Sequence, residues 1–424
     1  MGVFHDHGDV VRYQTAYNSF TLFNHPKDIR EILSDHNFVR MDLAKSVLGS
    51  GLLTSDGPLW ERQRRLLLPD FQPQCAKSWT NLFAETVTKH IATWKDHSPS
   101  VPVNLSREME RLTLSAIGKT LFGCHIEDRF LDAFTVTMKE IGNIGNAGGF
   151  GFPLRRQPTS HREFQLAMTI VEETVAGILS QHKHSGNENS KLLSRMTGGK
   201  NCPADSAVSA DQVRDEVVTM LTAGNETTAV TLGWAWYCIA SHPHVADKLY
   251  AEVDHVLGER TVEFADISRL KYTRMVIDET LRLYPPVWIV SRKAERDANI
   301  RGTEIPAESG VMVSPFVVHR HPDFWNTPET FSPERFAESA ASLDAYAYFP
   351  FIAGRHRCLG QHFALTELVV ATATIAQQFR FELCDEPSVE FEPLVSLRSR
   401  NGIWVRMQER HHSSKPAANQ TLDN

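Results

Sequence analysis

The sequence has little cysteine and no excess of basic charge. Its six cysteines among 424 residues are scattered and form no CxxC pair, which argues against a disulfide framework or a zinc ribbon and fits a reducing compartment. The 44 basic and 51 acidic residues leave a net charge of −7. We therefore expect no nucleic acid as the main partner.

Long apolar runs are also missing. A membrane-spanning helix needs about 18 or more consecutive apolar residues, and the longest candidate, Ala229 to Ala240, is shorter and lies beside Glu226. It is expected as a buried helix segment. The N-terminal residues lack the basic and apolar regions of a signal peptide. The sequence therefore predicts a cytoplasmic protein without a membrane anchor.

Helical patterns dominate the chain, and short strands cluster near both ends. Alternating apolar residues predict strands at Asp9–Ala16 and Ser19–Asn24, and further short strands within Ile289–Val313. The glycine-rich segment Gly142–Pro158 predicts a loop. The proline-free stretch Asp211–Ser241 predicts a helix roughly 45 Å long, which must cross the middle of a large fold. The fold class is therefore mainly α with small β-sheets.

One cysteine, Cys358, lies between two glycines and beside basic residues, just ahead of a predicted helix, in the stretch Phe351–Gly360. Basic neighbours and a helix N-terminus both lower the pKa of a thiol and favour the metal-binding thiolate. The glycines allow a flat ligand to approach closely. Most single cysteines are instead small buried apolar side chains, and His356 and His362 also suggest zinc. Composition leaves these alternatives open.

The pattern Phe-x-x-Gly-x-His-x-Cys-x-Gly resembles the haem-binding loop of cytochromes P450, and four further motifs of that family follow the expected order. The resemblance covers nearly the whole chain. It implies the cytochrome P450 fold, with haem between the long central helix and the cysteine loop with the last helix. We expect a single domain over residues 1–407 and a disordered tail over 408–424.

For the cysteine loop, the resemblance implies that Cys358 is the thiolate ligand of the iron of haem b. It also implies that Phe351 packs against the loop, that His356 meets a haem propionate and that Gly360 contacts the cofactor. Thiolate ligation favours cleavage of the O–O bond. Ile352 departs from the family pattern, which has a small or polar residue there.

A polar cluster, residues 223–228, interrupts the apolar central helix. In isolation such a cluster favours a helix kink whose threonines bond back to carbonyl groups. Beside the cysteine loop it resembles the oxygen-activation motif of the family, formed here by Ala223, Gly224, Glu226 and Thr227. The resemblance implies that Gly224 opens a groove for dioxygen, that Thr227 hydrogen-bonds the oxygen and that Glu226 relays protons as a general acid.

Glu279 and Arg282 lie three residues apart, a spacing common in surface ion pairs of small energy. The neighbouring run Leu281–Pro286 is apolar and indicates burial, where a charged pair needs further partners. The pair resembles the ExxR motif of the family, and Arg335 in a Pro-Glu-Arg-Phe stretch matches its third member. The resemblance implies a structural triad that clamps the coil carrying the cysteine loop.

Trp60 and Arg64 lie four residues apart on one predicted helix, where a basic surface turn is the simplest interpretation. The resemblance implies instead that both donate to a haem propionate. Arg292 matches the second propionate-binding arginine of the family. With His356, the chain then has three cationic candidates for two carboxylates.

The segments that form the substrate pocket in the family are chiefly apolar here, so a hydrophobic small molecule is expected, such as a fatty acid, a terpenoid or a polyketide-like compound. Trp288 either narrows the pocket or packs in the core. The predicted lining residues are Leu48, Leu53, Met220, Val287, Trp288, Ile289 and Val395.

The sequence contains no dinucleotide fingerprint and no set of iron–sulfur cysteines. Electrons are therefore expected from a separate ferredoxin and its reductase, or from an equivalent donor. Arg62, Arg65, Arg355 and Arg357 predict a basic docking face for an acidic donor.

The expected activity is that of a monomeric haem-thiolate monooxygenase, which inserts one oxygen atom from dioxygen into its substrate. A haem-thiolate peroxygenase, desaturase or oxidative-coupling enzyme is an alternative. A haem sensor without turnover ranks last, because it would not need the pair Glu226–Thr227.

Overall fold

A computed structural model of the chain describes residues 6–14, 19–41, 44–147, 159–185, 190–198, 208–337 and 343–410, with the side chains of 145–147 left out. The α-helices of these residues are α1 (Pro26–Ser34), α2 (Lys45–Leu48), α3 (Gly57–Leu67), α4 (Ala76–Ala92), α5 (Leu105–Ile117), α6 (Arg129–Ala147), α7 (His161–His184), α8 (Lys191–Met196), α9 (Ala210–Ser241), α10 (Pro243–Val256), α11 (Phe264–Ile267), α12 (Lys271–Leu283), α13 (Pro315–Val318) and α14 (Gln361–Gln378).

The strands are short and lie at the edges of the helical body. Their bounds are β1 (Val10–Gln14), β2 (Ser19–Phe23), β3 (Phe38–Val39), β4 (Val103–Asn104), β5 (Val290–Ala294), β6 (Ala298–Ile300), β7 (Thr303–Ile305), β8 (Gly310–Val313), β9 (Phe379–Leu383), β10 (Phe391–Pro393), β11 (Leu397–Ser399) and β12 (Trp404–Glu409). A five-stranded sheet has the order β1-β2-β8-β5-β3, in which β2 and β8 are parallel. A three-stranded sheet has the order β4-β12-β9, and β6-β7 and β10-β11 form two-stranded sheets.

Helix α9 crosses the core, as its apolar composition predicts. It contains 32 residues and is capped at its N-terminus by Ser209, whose side chain accepts a hydrogen bond from the amide of Gln212. The four consecutive residues from Val217 to Met220 are all buried, and successive side chains point to different sides of a helix. A surface helix would bury one stripe only, so α9 must be surrounded by other elements.

The packing of α5 and α14 fixes the middle of α9. In the buried contact between α5 and α9, Thr113 Oγ1 donates to Asn225 Oδ1 at 2.6 Å. Helix α14 starts at Gly360, directly after the cysteine loop, and most of its residues are buried. The cysteine loop is therefore held at one end by a core helix and faces the polar cluster of α9.

The predicted fold class is confirmed: the chain is mainly helical with small sheets. The first six residues of the predicted loop Gly142–Pro158 are helical instead, because α6 continues to Ala147, and 148–158 lie outside the described residues. The predicted tail starts too early, since Gln408 and Glu409 pair with Arg380 and Phe379 in the last sheet. Residues 411–424 lie outside the described part of the chain.

None of the described helices combines the length and the apolar composition that crossing a bilayer requires.

Candidate active site

A cavity of about 430 Å³ lies between the middle of α9 and the cysteine loop, Phe351–Gly360. Its size is typical of a ligand site. The catalytic and cofactor-binding residues predicted from the sequence all line this one cavity: Trp60, Arg64, Ala223, Gly224, Glu226, Thr227, Arg292, Phe351, His356, Cys358 and Gly360. Residues up to 300 positions apart in the chain thus surround one space.

The cysteine loop is shaped by two residues with left-handed backbone. Gly354 has a φ of 71°, and a Cβ atom there would collide with the carbonyl group of Leu33. Ile352 has a φ of 59°, a strained value for a β-branched residue. The amide of Cys358 donates to the carbonyl of Phe351 at 2.8 Å and closes the loop. The departure at Ile352 therefore lies at a strained turn of the ligand loop.

The thiol of Cys358 faces the cavity. Its accessible surface classes it as exposed, but that surface opens into the cavity and the surrounding protein shields it from bulk solvent. Burial raises the pKa of the thiol, and the amide of Gly360 with Arg64 and Arg357 offsets this only in part. The basic neighbours therefore lower this pKa as predicted, but in the protein alone the effect of burial is larger. A metal ion bound to the sulfur would itself favour the thiolate.

The zinc alternative needs further ligands. Within the residues that the structure describes, no group of three or more His, Cys, Asp or Glu side chains is arranged to hold a metal ion. Zinc in structural sites is bound by four such ligands. The described residues thus provide no set that would hold zinc.

One end of the cavity carries a cluster of cations, Arg40, Arg64 and Arg292, which we call the arginine cluster. Burial, together with Arg292 and Arg64, lowers the pKa of Arg40 to about 9 against the opposing effect of Asp56. Burial also lowers the pKa of Arg292 to about 10. Both shifts show that these charges are poorly solvated and incompletely neutralised.

Asp56 is the anion at this end of the cavity. It caps the N-terminus of α3, and its carboxylate lies 3.1 Å from Nε2 of His356. Burial would raise the pKa of Asp56, but hydrogen bonds from His356 and from the amides of Arg40 and Gly57 outweigh it and hold the pKa below its usual value. The ring of His356 packs edge-on against Trp60, with 4.5 Å between the centroids.

The site fits an acidic, flat cofactor. Burial lowers the pKa of His356, so its ring is neutral and offers hydrogen bonds rather than charge. One carboxylate, Asp56, acts on Arg40 and Arg292, and further anions would relieve the repulsion within the arginine cluster. The two propionate groups of haem would supply such anions, and the thiol of Cys358 opens into the same cavity.

The acid–alcohol pair lies on the α9 wall. Ser396 Oγ donates to Oε1 of Glu226 at 2.6 Å, and burial raises the pKa of this carboxyl group while Arg398 opposes the shift. Thr227 Oγ1 donates to the carbonyl of Ala223 at 2.7 Å. Thr227 thus bonds back to a carbonyl group of its own helix, as the simpler interpretation of the polar cluster predicts. The same residue also lines the cavity.

The position of Gly224 has a packing reason. Its backbone lines the cavity, but a Cβ atom there would lie 2.9 Å from Cδ1 of Ile117 in α5. The missing side chain thus makes room for a neighbouring helix. A side chain at Gly224 would point towards Ile117 of α5, so the position of this glycine is explained by helix packing and gives no support to the predicted dioxygen groove.

The predicted structural triad forms a buried ion network. Arg282 Nε lies 2.7 Å from Oε2 of Glu279, and both side chains are fully buried. Arg335 Nε donates to Oε1 of the same carboxylate at 3.0 Å. Arg282 and Arg335 also bond carbonyls of the coil at residues 326–330. The network ties α12 to the coil that leads to the cysteine loop.

Five of the seven predicted substrate residues line the cavity: Leu53, Met220, Val287, Ile289 and Val395. Leu48 does not, because α2 turns it into the core, where it is 3% exposed. Trp288 does not line it either. Its indole Nε1 donates to the carbonyl of Leu394 at 2.9 Å, so it supports the late turn from behind.

Sequence reasoning missed two residues of the site, Arg40 and Asp56, and the contact of Ser396 with Glu226. Arg40 Nη1 donates to the carbonyls of Leu52, at 2.6 Å, and Ser55, at 3.0 Å. Only Asp56 carried a local signal, as a helix N-cap followed by Gly-Pro.

Comparison with known proteins agrees with this geometry. The family model described as "Cytochrome P450" matches residues 2–404. The cyclooctat-9-en-7-ol 5-monooxygenase of Streptomyces melanosporofaciens is 29% identical over 88% of this chain and 83% of its own length. The cyclooctatin synthase of the same organism is 29% identical over 92% of this chain and 87% of its own. The pentalenene oxygenase of Streptomyces avermitilis is 27% identical over 92% of this chain and 87% of its own length.

The matched residues include the cysteine loop, the polar cluster of α9, the buried triad and the arginine cluster. Members of this family bind haem b through a cysteine thiolate and use dioxygen with electrons from a redox partner. With the cavity and the match in agreement, the chain belongs to the cytochrome P450 family and is a cytochrome P450 monooxygenase.

Proposed function

We propose that this chain oxidises a hydrophobic small molecule in the cavity between α9 and the cysteine loop, with haem b ligated by Cys358. The observation that carries the proposal is that one cavity is lined by the thiol of Cys358, the pair Glu226–Thr227 and several apolar side chains. When bound, haem supplies the activation of dioxygen. The protein supplies the ligand, the proton path and a dry, shaped space.

The arginine cluster would hold the two cofactor carboxylates. Arg64 on α3 and Arg292 on β5 both line the cavity and offer donors, and Arg40 adds a third guanidinium. Neutral His356 is held by Asp56 and by the ring of Trp60. We assign Trp60, Arg64, Arg292 and His356 to propionate binding.

Glu226 and Thr227 would deliver protons. Because burial raises the pKa of Glu226, its neutral form persists to higher pH than that of an exposed glutamate and has a proton to give. The hydroxyl hydrogen of Thr227 is directed at the carbonyl of Ala223. Rotation about the Cβ–Oγ bond moves only this hydrogen and would aim it into the cavity. Thr227 can thus pass on a proton without a change of backbone.

The substrate is proposed to be a hydrocarbon-rich molecule, because Leu53, Met220, Val287, Ile289 and Val395 line its side of the cavity. Two similar enzymes are named for cyclooctat-9-en-7-ol and pentalenene, and these names denote an alkene alcohol and an alkene. These names favour a terpenoid over a fatty acid or a polyketide-like substrate.

The electron donor is proposed to be an acidic ferredoxin. Arg62, Arg65 and Arg357 are exposed near the cysteine loop. Arg355 is half-buried and lies 3.8 Å from Glu61, so it contributes less to the surface charge. Replacing Arg62, Arg65 and Arg357 by glutamate should slow reduction by an acidic donor, most strongly at low salt. An unchanged reduction rate would remove this docking face.

The deciding test of the proposed ligand is the optical spectrum of the reduced protein with carbon monoxide. We expect the far-red Soret band of a thiolate-ligated haem, and Cys358→His should replace it by a histidine-type band. Cys384→Ser is the matched control, because Cys384 is a partly buried cysteine outside the cavity. A thiolate band that survives Cys358→His would refute the ligand assignment.

The proton relay through Thr227 is tested by the coupling of product formation to reductant consumption. Thr227→Ala should lower product formation roughly tenfold or more per reductant consumed, because a general acid contributes rate factors of that order or larger. The electrons of the reductant should then reduce dioxygen to hydrogen peroxide, which is measured beside the product. Thr222→Ala is the matched control, since Thr222 also lines the cavity from α9. Equal coupling in both variants would contradict the role of Thr227.

A further inference from the structure

We infer that Glu226 takes its protons from a polar cleft on another face of α9, and that Ser396 and Arg398 position and tune its carboxyl group. The inference rests on the relay proposed for Glu226. It adds the route by which the proton arrives and the two residues that control the donor.

The cleft has a volume of about 390 Å³ and lies between α5, α9 and the segment β11–β12. Arg400 and Asn401 at its rim are exposed, so the cleft is open to solvent. Its walls are rich in charge, unlike those of the cavity, and the ionisable residues among them are Arg107, Glu110, Lys139, Glu226, Glu392, Arg398 and Arg400.

Glu226 is the residue that the two spaces share. Among the described residues that line the cavity and the cleft, it alone lines both. On α9 the cleft is continued by Ala229, Val230 and Gly233, whereas Thr227 and Gly224 face the cavity. A carboxyl group at this boundary can meet water on one side and the reaction on the other.

Ser396 fixes the carboxyl group at the boundary. Its hydroxyl donates to Glu226 at 2.6 Å. The turn that carries Ser396 is held by the indole of Trp234, which donates to the carbonyl of Leu397 at 2.8 Å, and by the bond from the Leu397 amide to the carbonyl of Pro286 at 3.0 Å. Because the turn is anchored on both sides, Ser396 limits the rotation of Glu226.

Charges of opposite sign act on Glu226 from the cleft. Arg398 favours the carboxylate, and Glu110 favours the neutral acid. Each has a partner of its own: Arg398 Nε lies 3.2 Å from Glu392, and Glu110 lies 3.0 Å from Arg107. Lys139 also faces the cleft, and the ionisable groups on the cavity side are Arg40, Arg64, Arg292, His356, Arg357 and Cys358.

One proton moves in each step. Neutral Glu226 gives its proton towards Thr227 and becomes a carboxylate, which the hydroxyl of Ser396 and the charge of Arg398 stabilise. Water in the cleft then returns a proton to the carboxylate. The relay therefore needs no opening of the apolar cavity to solvent.

The first experiment measures the titration of Glu226 in the haem-loaded protein by the infrared C=O band of its neutral carboxyl group. Glu226→Gln identifies the band by its loss. Arg398→Gln should raise the pH midpoint by roughly one unit and Glu110→Gln should lower it by a similar amount. Ser396→Ala should also raise it, because a donor to the carboxylate is lost.

Arg400→Gln is the matched control, because Arg400 lines the same cleft but its ion-pair partner is Glu390. We expect no shift of the midpoint in this variant. Shifts of equal sign for Arg398→Gln and Glu110→Gln, or no shift in either, would overturn the assigned tuning. The same holds if no band is lost in Glu226→Gln.

The second experiment tests the route by the rate at which this carboxyl group exchanges its proton in D₂O. Val230→Phe adds bulk on the cleft side of α9 and should slow the exchange at least about tenfold. Val287→Phe adds the same ring on the cavity side and should leave the rate unchanged. The reverse result would show that protons arrive through the cavity.

The outcomes separate this inference from the proposed function. If the carbon monoxide complex lacks the thiolate-type band, the proposed function is contradicted, whatever pH midpoint is measured for Glu226. Suppose instead that the thiolate band is present and that Thr227→Ala releases peroxide, but that proton exchange in Val230→Phe is as fast as in the parent. The proposed function is then supported, and the cleft is contradicted as the proton route.

Discussion

Arg282 and Arg292 lie ten residues apart, and both are buried, with 0% and 6% of the residue exposed. Arg282 uses all five donors of its guanidinium: two meet Glu279, and three meet the carbonyls of His319, Pro328 and Thr330. Within the described residues, Arg292 donates one hydrogen bond, from Nη1 to the carbonyl of Ser291. One guanidinium is saturated, and the other keeps free donors beside a cavity.

The difference in the number of paired donors distinguishes an arginine that stabilises the fold, Arg282, from one that can bind a ligand, Arg292. A buried charge with every donor paired cannot accept a ligand, and it loses several kcal/mol when one partner is removed. A buried charge with free donors is costly until an anion arrives, as the lowered pKa values of Arg40 and Arg292 indicate. The triad therefore stabilises the fold, whereas Arg292 has donors left for an anion such as the cofactor carboxylates proposed above.

The largest effect is expected for Glu279→Ala. It leaves Arg282 and Arg335 without their shared carboxylate, which should cost about 3–5 kcal/mol of folding free energy. Thermal unfolding of the protein with and without haem would show a large fall in Tm in both forms. Glu61→Ala is the control, since Glu61 is exposed and 3.8 Å from its partner. Equal Tm values for the two variants would contradict the scaffold role.

Arg292→Gln should act in the opposite way. Without haem, Tm should stay constant or rise, because a poorly solvated charge is removed. The affinity for haem should fall roughly tenfold or more, about 1.4 kcal/mol. A haem titration of the cofactor-free protein measures this loss. If Arg292→Gln lowers the Tm of the cofactor-free protein as much as Glu279→Ala does, Arg292 stabilises the fold as the triad does, and the distinction between the two arginines is wrong.

Asp56→Asn should have a smaller, pH-dependent effect. The pKa of Asp56 is lowered in the folded protein, so its stabilisation is present above the ordinary value of 3.8 and is lost as pH falls below it. With discounting for its partial exposure, we expect about 1 kcal/mol. The difference in Tm between parent and variant should therefore shrink between pH 5 and about pH 2. A constant difference would show that the carboxylate charge is not the cause.

The smallest effect is expected for Arg65→Gln. Arg65 is exposed, and among the described residues no ion pair of it is found. Its loss should change the folding free energy by less than about 0.5 kcal/mol and leave the affinity for haem unchanged. A clear loss of haem in this variant would mean that surface arginines act on the cofactor as strongly as the arginine cluster does.

The elements and motifs were accessible from the sequence because they are local patterns. The spacing of apolar residues predicted α9 as Asp211–Ser241, one residue from its observed start. The motif around Cys358, the pair Glu226–Thr227 and the triad were each recognised within a few residues of chain. In the structure Cys358 and the pair Glu226–Thr227 line one cavity, and the triad ties α12 to the coil that leads to the cysteine loop.

The sequence could not supply partners that are distant in the chain. Ser396 meets Glu226 across 170 residues, and Asp56 meets His356 across 300. Leu48 and Trp288 were placed in the pocket from the position of their segments, whereas their orientation depends on how α2 and the late turn pack. No periodicity within a segment carries that information.

The chemical identity of the site was thus determined by the sequence: a cysteine in a glycine-rich loop, an acid–alcohol pair in a core helix and a family of thiolate-ligated haem enzymes. Tertiary structure decided the electrostatics. Basic neighbours predict a lower pKa for Cys358, but burial reverses the sign. Charge follows from residue type, whereas desolvation and the choice between a paired and an open arginine follow only from packing.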